Sequence, residues 1–223
     1  MKLLLTSAGV NNTSIHNALT GLLDKPIAEC DALCIPTAGY GSFYGNPPAG
    51  AWSFLAGRSQ QPMTELGWKS LGELELTALP SIETERWVSW VREADVLLAK
   101  GGDALYLSYW MRESGLADLL PSLHDKVWVG FSAGSMVMTP RIGEEFVGWK
   151  PPSGEDGALG VVDFSLFPHV DHPDLPENTM AAAEKWAAAI GGPAYAICDD
   201  TAIKVVDGVV EVVSEGHWKH FTP

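Results

Sequence analysis

Short apolar runs recur along the chain, and each gives way to small residues. Leu3 to Thr6, Ala32 to Pro36, Asp95 to Ala99 and Val127 to Phe131 have the length and aliphatic content of buried strands. Their exits read Ser7-Ala8-Gly9, Thr37-Ala38-Gly39, Lys100-Gly101-Gly102-Asp103 and Ser132-Ala133-Gly134. Between them the spacing turns helical. One helix is expected from a Ser14 cap to about Asp24, with Ile15, Leu19, Leu22 and Leu23 on one face. Another is expected over Glu83 to Ala94, with Trp87, Trp90 and Val91 inward, and two more over Ala104 to Glu113 and Leu116 to His124. A short helix near Met63 to Leu71 and a strand near Glu73 to Leu76 fit the pattern between. Tyr40 to Pro62, rich in glycine, proline and aromatics, reads as a long loop at the border of a cleft. Alternation of this kind specifies a three-layer α/β domain, its sheet mostly parallel and covered by helices on both faces. Ligands in such folds lie outside the carboxyl ends of the strands, so the four exits should converge on one cleft.

The texture changes after Pro151-Pro152. A loop over Ser153 to Gly160 and a strand-like stretch over Val161 to Phe167 lead into the polar cluster Phe167-Pro168-His169-Val170-Asp171-His172. An alanine-rich helix follows over Glu177 to Ala189, starting near Asn178 or Thr179. Ala194 to Cys198, Thr201 to Val206, Val209 to Val213 and His217 to Phe221 read as strands, with Asp207-Gly208 a hairpin turn. These should add antiparallel strands to the sheet edge. The chain shows no internal repeat, low-complexity tract or second domain, so residues 1–223 are expected to form one domain.

The segment Lys126 to Pro140, KVWVGFSAGSMVMTP, carries the sharpest chemical signal. Small residues on both sides of Ser132 allow a strand to turn abruptly into a helix with the serine at the apex. Its hydroxyl would then be lifted out of the sheet, as at a nucleophile elbow. The helix is expected to run until Pro140 stops it.

Composition narrows the functional classes. A formal net charge of -14 over 223 residues lacks the basic footprint that nucleic acid or an anionic membrane surface requires. The apolar segment near the N-terminus is too brief for a signal peptide, and no run is long enough for a membrane helix. Cys30, Cys34 and Cys198 are an odd number without CxxC spacing, which suits free thiols in a reducing cytoplasm.

A serine hydroxyl needs a base to take its proton and a third group to hold that base. Among six histidines, His16 and His124 fall on helices as surface residues, and His217 and His220 lie in the last strand. His169 and His172 sit in a loop bracketed by prolines and acids, a suitable place for a base. His169-x-x-His172 with Asp171 and Asp174 lacks the helical HExxH pattern and has no cysteine nearby, so no metal or cofactor is called for. Asp163, Asp171, Glu144, Glu145, Asp199 and Asp200 are candidates for the acid, and spacing does not choose among them. Gly101-Gly102 suits an oxyanion hole, with the amide of Ala133 as second donor.

GFSAGSMV around Ser132, KGGDALYL around Gly101, FPH at His169 and DDTAIKV at Asp199 together resemble the peptidase E family of serine peptidases. That family includes aspartyl dipeptidases, is related to cyanophycinases, and is similar in fold to class I glutamine amidotransferases. The resemblance covers essentially the whole chain. It implies Ser132 as nucleophile, His169 as base, Gly102 and Ala133 as oxyanion donors, and short peptides as substrates. For the acid it points to Asp199, where relatives carry a longer glutamate, with Asp200, Glu144 and Glu145 as alternatives. The stretch after His169, HPDLPENTMAAAEKW, lacks the arginine with which aspartyl dipeptidases capture an aspartate. Aspartyl specificity is therefore not implied. Two other readings compete: an α/β-hydrolase esterase using Ser132, Asp199 and His217, and an amidotransferase-like binding protein without catalysis.

Overall fold

A parallel sheet finished by an antiparallel hairpin dominates the computed structural model, which describes every residue except Tyr44, Ser153 and Pro223. Its strands are β1 (Lys2–Thr6), β2 (Asp31–Ile35), β3 (Ser70–Glu73), β4 (Val96–Ala99) and β5 (Val127–Phe131), joined by β8 (Thr201–Val206) and β9 (Val209–Ser214). The order is β3-β2-β4-β5-β1-β8-β9. β8 pairs antiparallel with β1, and β9 with β8. Register pairs Ile35 with Ala99, Ala99 with Gly130 and Phe131 with Thr6. The carboxyl ends of β2, β4, β5 and β1 therefore finish level, and the four exits meet as the pattern predicted.

Period-two alternation explains why both faces are covered. Leu3 and Leu5 of β1, Leu97 of β4 and Trp128 of β5 join one buried cluster with Trp87 and Val91 of helix α3 (Thr84–Glu93) and Leu107 and Met111 of α4 (Ala104–Glu113). Leu4, Leu98 and Val129 turn the other way. They meet Ile15 and Leu19 of α1 (Thr13–Leu22) and Phe54 of α2 (Pro47–Leu55). Burying each such side chain stabilises the fold by about 1.5–3 kcal/mol.

The C-terminal strands divide, against the expectation that all extend one edge. Only β8 and β9 do so. β6 (Ser165–Phe167), β7 (Ala194–Ile197) and β10 (Trp218–Phe221) form a separate sheet in the order β10-β7-β6. β6 and β7 are parallel, connected through α7 (Met180–Ile190), and that helix brings its own cluster of Phe167, Val170, Ala183 and Trp186. A connection with its own buried core has no need of the main sheet.

Local departures have local causes. Asn12, not Ser14, caps α1: it is extended (φ -140) and its side chain accepts from Ile15 N. Trp90 is 36% exposed beneath Arg86, because the inward stripe of α3 is Trp87 and Val91, one turn apart. No helix forms over Met63 to Leu71. Gly67 there has φ +88, and Trp68 Nε1 donates to the Met63 carbonyl across the turn. β3 starts three residues earlier than expected, where Asp31 pairs with Ser70. The expected loop from Tyr40 contains α2, capped by Asn46 with prolines in its first turn. Past α5 (Leu116–Leu119) the chain tightens into a 3-10 turn at Pro121, so that helix ends early. The loop expected from Ser153 begins on a residue outside the described set.

Candidate active site

Ser132 follows β5 with φ 51 and ψ -118, a conformation an L-residue adopts only when its surroundings impose it. Those surroundings are specific. Ser132 N donates to the Thr6 carbonyl at 3.1 Å, and Ser135 Oγ donates to the same oxygen at 2.8 Å. Trp128 Nε1 donates to the Gly134 carbonyl at 2.9 Å. A Cβ on Gly130 would lie 2.1 Å from the Gly134 carbonyl oxygen, and one on Gly134 would lie 2.3 Å from that of Ala99. Only glycine at both positions lets the chain fold back so tightly. The helix that follows, α6 (Ala133–Met136), is one turn long and stops well before Pro140.

Beside this turn runs the exit of β4. Gly102 has φ +148, and a Cβ there would lie 2.1 Å from the Ala38 carbonyl oxygen, so the residue must be glycine. A Cβ on Gly101 would be 3.2 Å from Ser132 Cβ. Gly101 and Gly102 line a cavity of about 330 Å³ together with Ser132 and His169. Ala133 opens α6, where the first amides have no partner within the helix.

His169 reaches the cavity from the loop after β6 with φ 58. Its Nδ1 lies 2.6 Å from Asp199 Oδ1. Asp199 stands in the turn between β7 and β8, so it comes from the chain end opposite Ser7, yet Ser7 joins them. Ser7 Oγ accepts from His169 N at 2.8 Å and donates to Asp199 Oδ1 at 2.9 Å. His172 Nε2 stands 3.4 Å from Asp199 Oδ2. Burial alone would raise the Asp199 pKa. Hydrogen bonds from His169 and Ser7, with the charge of His169 and His172, outweigh it and hold the carboxyl below the ordinary range. An ionised carboxylate only accepts, so in the neutral imidazole of His169 the hydrogen belongs on Nδ1 and the lone pair on Nε2.

The other candidates lie elsewhere. Asp200, Glu144 and Glu145 are exposed and make no hydrogen bond to His169 among the described residues. His217 Nε2 lies 3.0 Å from Asp171 Oδ2 on an exposed edge, not with Ser132. His16 and His124 are exposed, and so are both His217 and His220, of which one was expected inside. The pattern along the chain marks Ser7 only as a turn residue. Its role has no local signal, because both its partners are more than a hundred residues away.

The sequence model of peptidase family S51 matches residues 3–213. The chain belongs to peptidase family S51. It is therefore a serine peptidase, as the resemblance to peptidase E implied. No curated protein matches the chain. Among solved structures it is similar to a protein described as a candidate peptidase E from Listeria monocytogenes EGD-e, with 20% identity, TM-score 0.65 and coverage of 96% of this chain and 98% of that one. It is also similar to a peptidase from an acI-B1 Actinobacterium, with 19% identity, TM-score 0.67 and coverage of 99% and 93%. At such identity these neighbours establish the shared fold. Among the described residues of this S51 chain, no helix is long and apolar enough to cross a membrane.

Proposed function

We propose that this S51 member hydrolyses short peptides, dipeptides included, through an acyl-enzyme on Ser132. His169 Nε2 takes the hydroxyl proton as the oxygen attacks the scissile carbonyl. Asp199 holds the imidazole and stabilises the imidazolium that results. The amides of Gly102 and Ala133 receive the oxyanion. The imidazolium then protonates the departing amine, and a water activated by the same nitrogen releases the acid product. One observation carries this reading: His169, held at 2.6 Å by Asp199, borders the same small cavity as the strained Ser132. A cavity of about 330 Å³ also favours short peptides over folded proteins. Three free, buried cysteines support a cytoplasmic location.

Profiling purified protein on a dipeptide library tests the reaction. Ser132→Ala and His169→Ala should each lower kcat by at least about a thousandfold. Unchanged turnover in either would remove the assignment. Fluorophosphonate labelling that is lost in Ser132→Ala would report the activated hydroxyl directly.

A further inference from the structure

The cavity beside Ser132 holds a cation without an anion. Lys100, the last residue before the Gly101-Gly102 turn, lines it along with Ser132 and His169. Lys100 Nζ donates to the Gly101 carbonyl at 3.1 Å and stands 5.9 Å from the Phe131 ring centroid. Its stem crosses glycine backbone, for a Cβ on Gly39 would be 3.3 Å from Nζ and one on Gly50 would be 3.8 Å away. Among the described residues no carboxylate lies within ion-pair distance of this ammonium. The acids nearby are committed elsewhere. Asp103 caps α4 at Tyr106 N (2.8 Å) and accepts from Trp149 N (2.6 Å). Asp199 is taken by His169 and Ser7.

One carbonyl and a ring face compensate poorly for a half-buried ammonium, and its burial pushes the pKa down. An incoming carboxylate would restore the balance with a charge-assisted hydrogen bond. In a protein of net charge -14 the bulk field repels anions, so such binding has to come from a local cation. Glycine at 39 and 50 sets no side chain against Nζ on that side.

We propose that Lys100 binds a carboxylate of the peptide substrate, so that this peptidase selects peptides bearing an anionic group close to the scissile bond. This rests on the Ser132 reading. The carboxylate has two possible sources: the free C-terminus of a very short peptide, or an acidic side chain.

Calorimetric binding to Ser132→Ala protein, in which nothing turns over, separates them. The probes are Ala-Ala, Ala-Ala-amide and Asp-Ala-amide. Ala-Ala binding about tenfold or more tightly than its amide assigns the C-terminus, and Asp-Ala-amide exceeding Ala-Ala-amide assigns the side chain. Adding Lys100→Met, which keeps the stem, should bring that ratio close to one, whereas Lys100→Arg should keep most of it. Equal binding of all three probes, no binding of any, or a ratio that survives Lys100→Met would overturn the proposal. If fluorophosphonate fails to label Ser132 while the ratio still depends on Lys100, the nucleophile assignment falls and the anion site stands.

Discussion

Ser7 is the residue whose importance the linear chain conceals most. Its hydroxyl accepts from the backbone of His169 and donates to Asp199, so one side chain fixes both the imidazole and its acid. Ser7→Ala leaves a partly buried carboxylate short of one donor and a strained backbone amide unpaired. The expected loss in kcat is about tenfold to a hundredfold, from removal of hydrogen bonds to charged groups, with Ser132 still labelled by a fluorophosphonate. Asp199 gives a pH dependence of definite sign. Its folded pKa lies below its unfolded one, despite the opposing effect of burial. The stability it contributes is complete above the unfolded value of about 3.9 and disappears as pH falls through the depressed folded value. Acid unfolding followed by circular dichroism should therefore be less steep in Asp199→Asn. An unchanged slope would mean that the carboxylate is not held as described.

The elements divide into those that make the serine turn and those that carry the histidine to it. The first group tolerates no added carbon. In Gly134→Ala the new methyl would meet the Ala99 carbonyl oxygen at 2.3 Å, forcing β4 and β5 apart at their ends. A loss of about 4 kcal/mol or more in unfolding free energy is expected, at the severe end for single substitutions. The second group depends on a satellite core. Trp186 of α7 is fully buried, and its Nε1 donates to the Ile142 carbonyl at 2.8 Å. Around it gather Phe167 and Val170, which flank His169. Trp186→Ala should cost about 3–5 kcal/mol by denaturant titration and lower kcat as well, because the loop bearing the proposed base loses its floor. A variant destabilised by that amount yet fully active would show that the satellite core does not position His169.

For the whole molecule, charge and topology act together. A net charge of -14 on a chain of this size repels itself, and the ion pairs described are mostly exposed. Raising ionic strength from about 0.01 M to about 0.15 M shortens the screening length from about 30 Å to about 8 Å. The thermal midpoint should rise by a few degrees, and a fall would indicate that attractive pairs outweigh the general repulsion. Topology assembles the proposed site from both ends of the chain: β1 and its exit supply Thr6 and Ser7, the centre supplies Gly102 and Ser132, and the last third supplies His169 and Asp199. A contiguous fragment would hold only part of it.

The parallel sheet, the convergence of its exits and the serine turn were all legible in the chain, because each depends on local signals: aliphatic runs, small residues and helical spacing. The loop holding His169 and His172 could be singled out by its setting, and His169 and Asp199 themselves only through family resemblance. Bringing Asp199 rather than another acid against His169, recruiting Ser7, separating the second sheet and leaving Lys100 without a counter-charge were decided by tertiary structure. Those outcomes depend on which distant groups share a few ångströms, and hydrogen bonds and charges act over distances in space that spacing along a sequence does not encode.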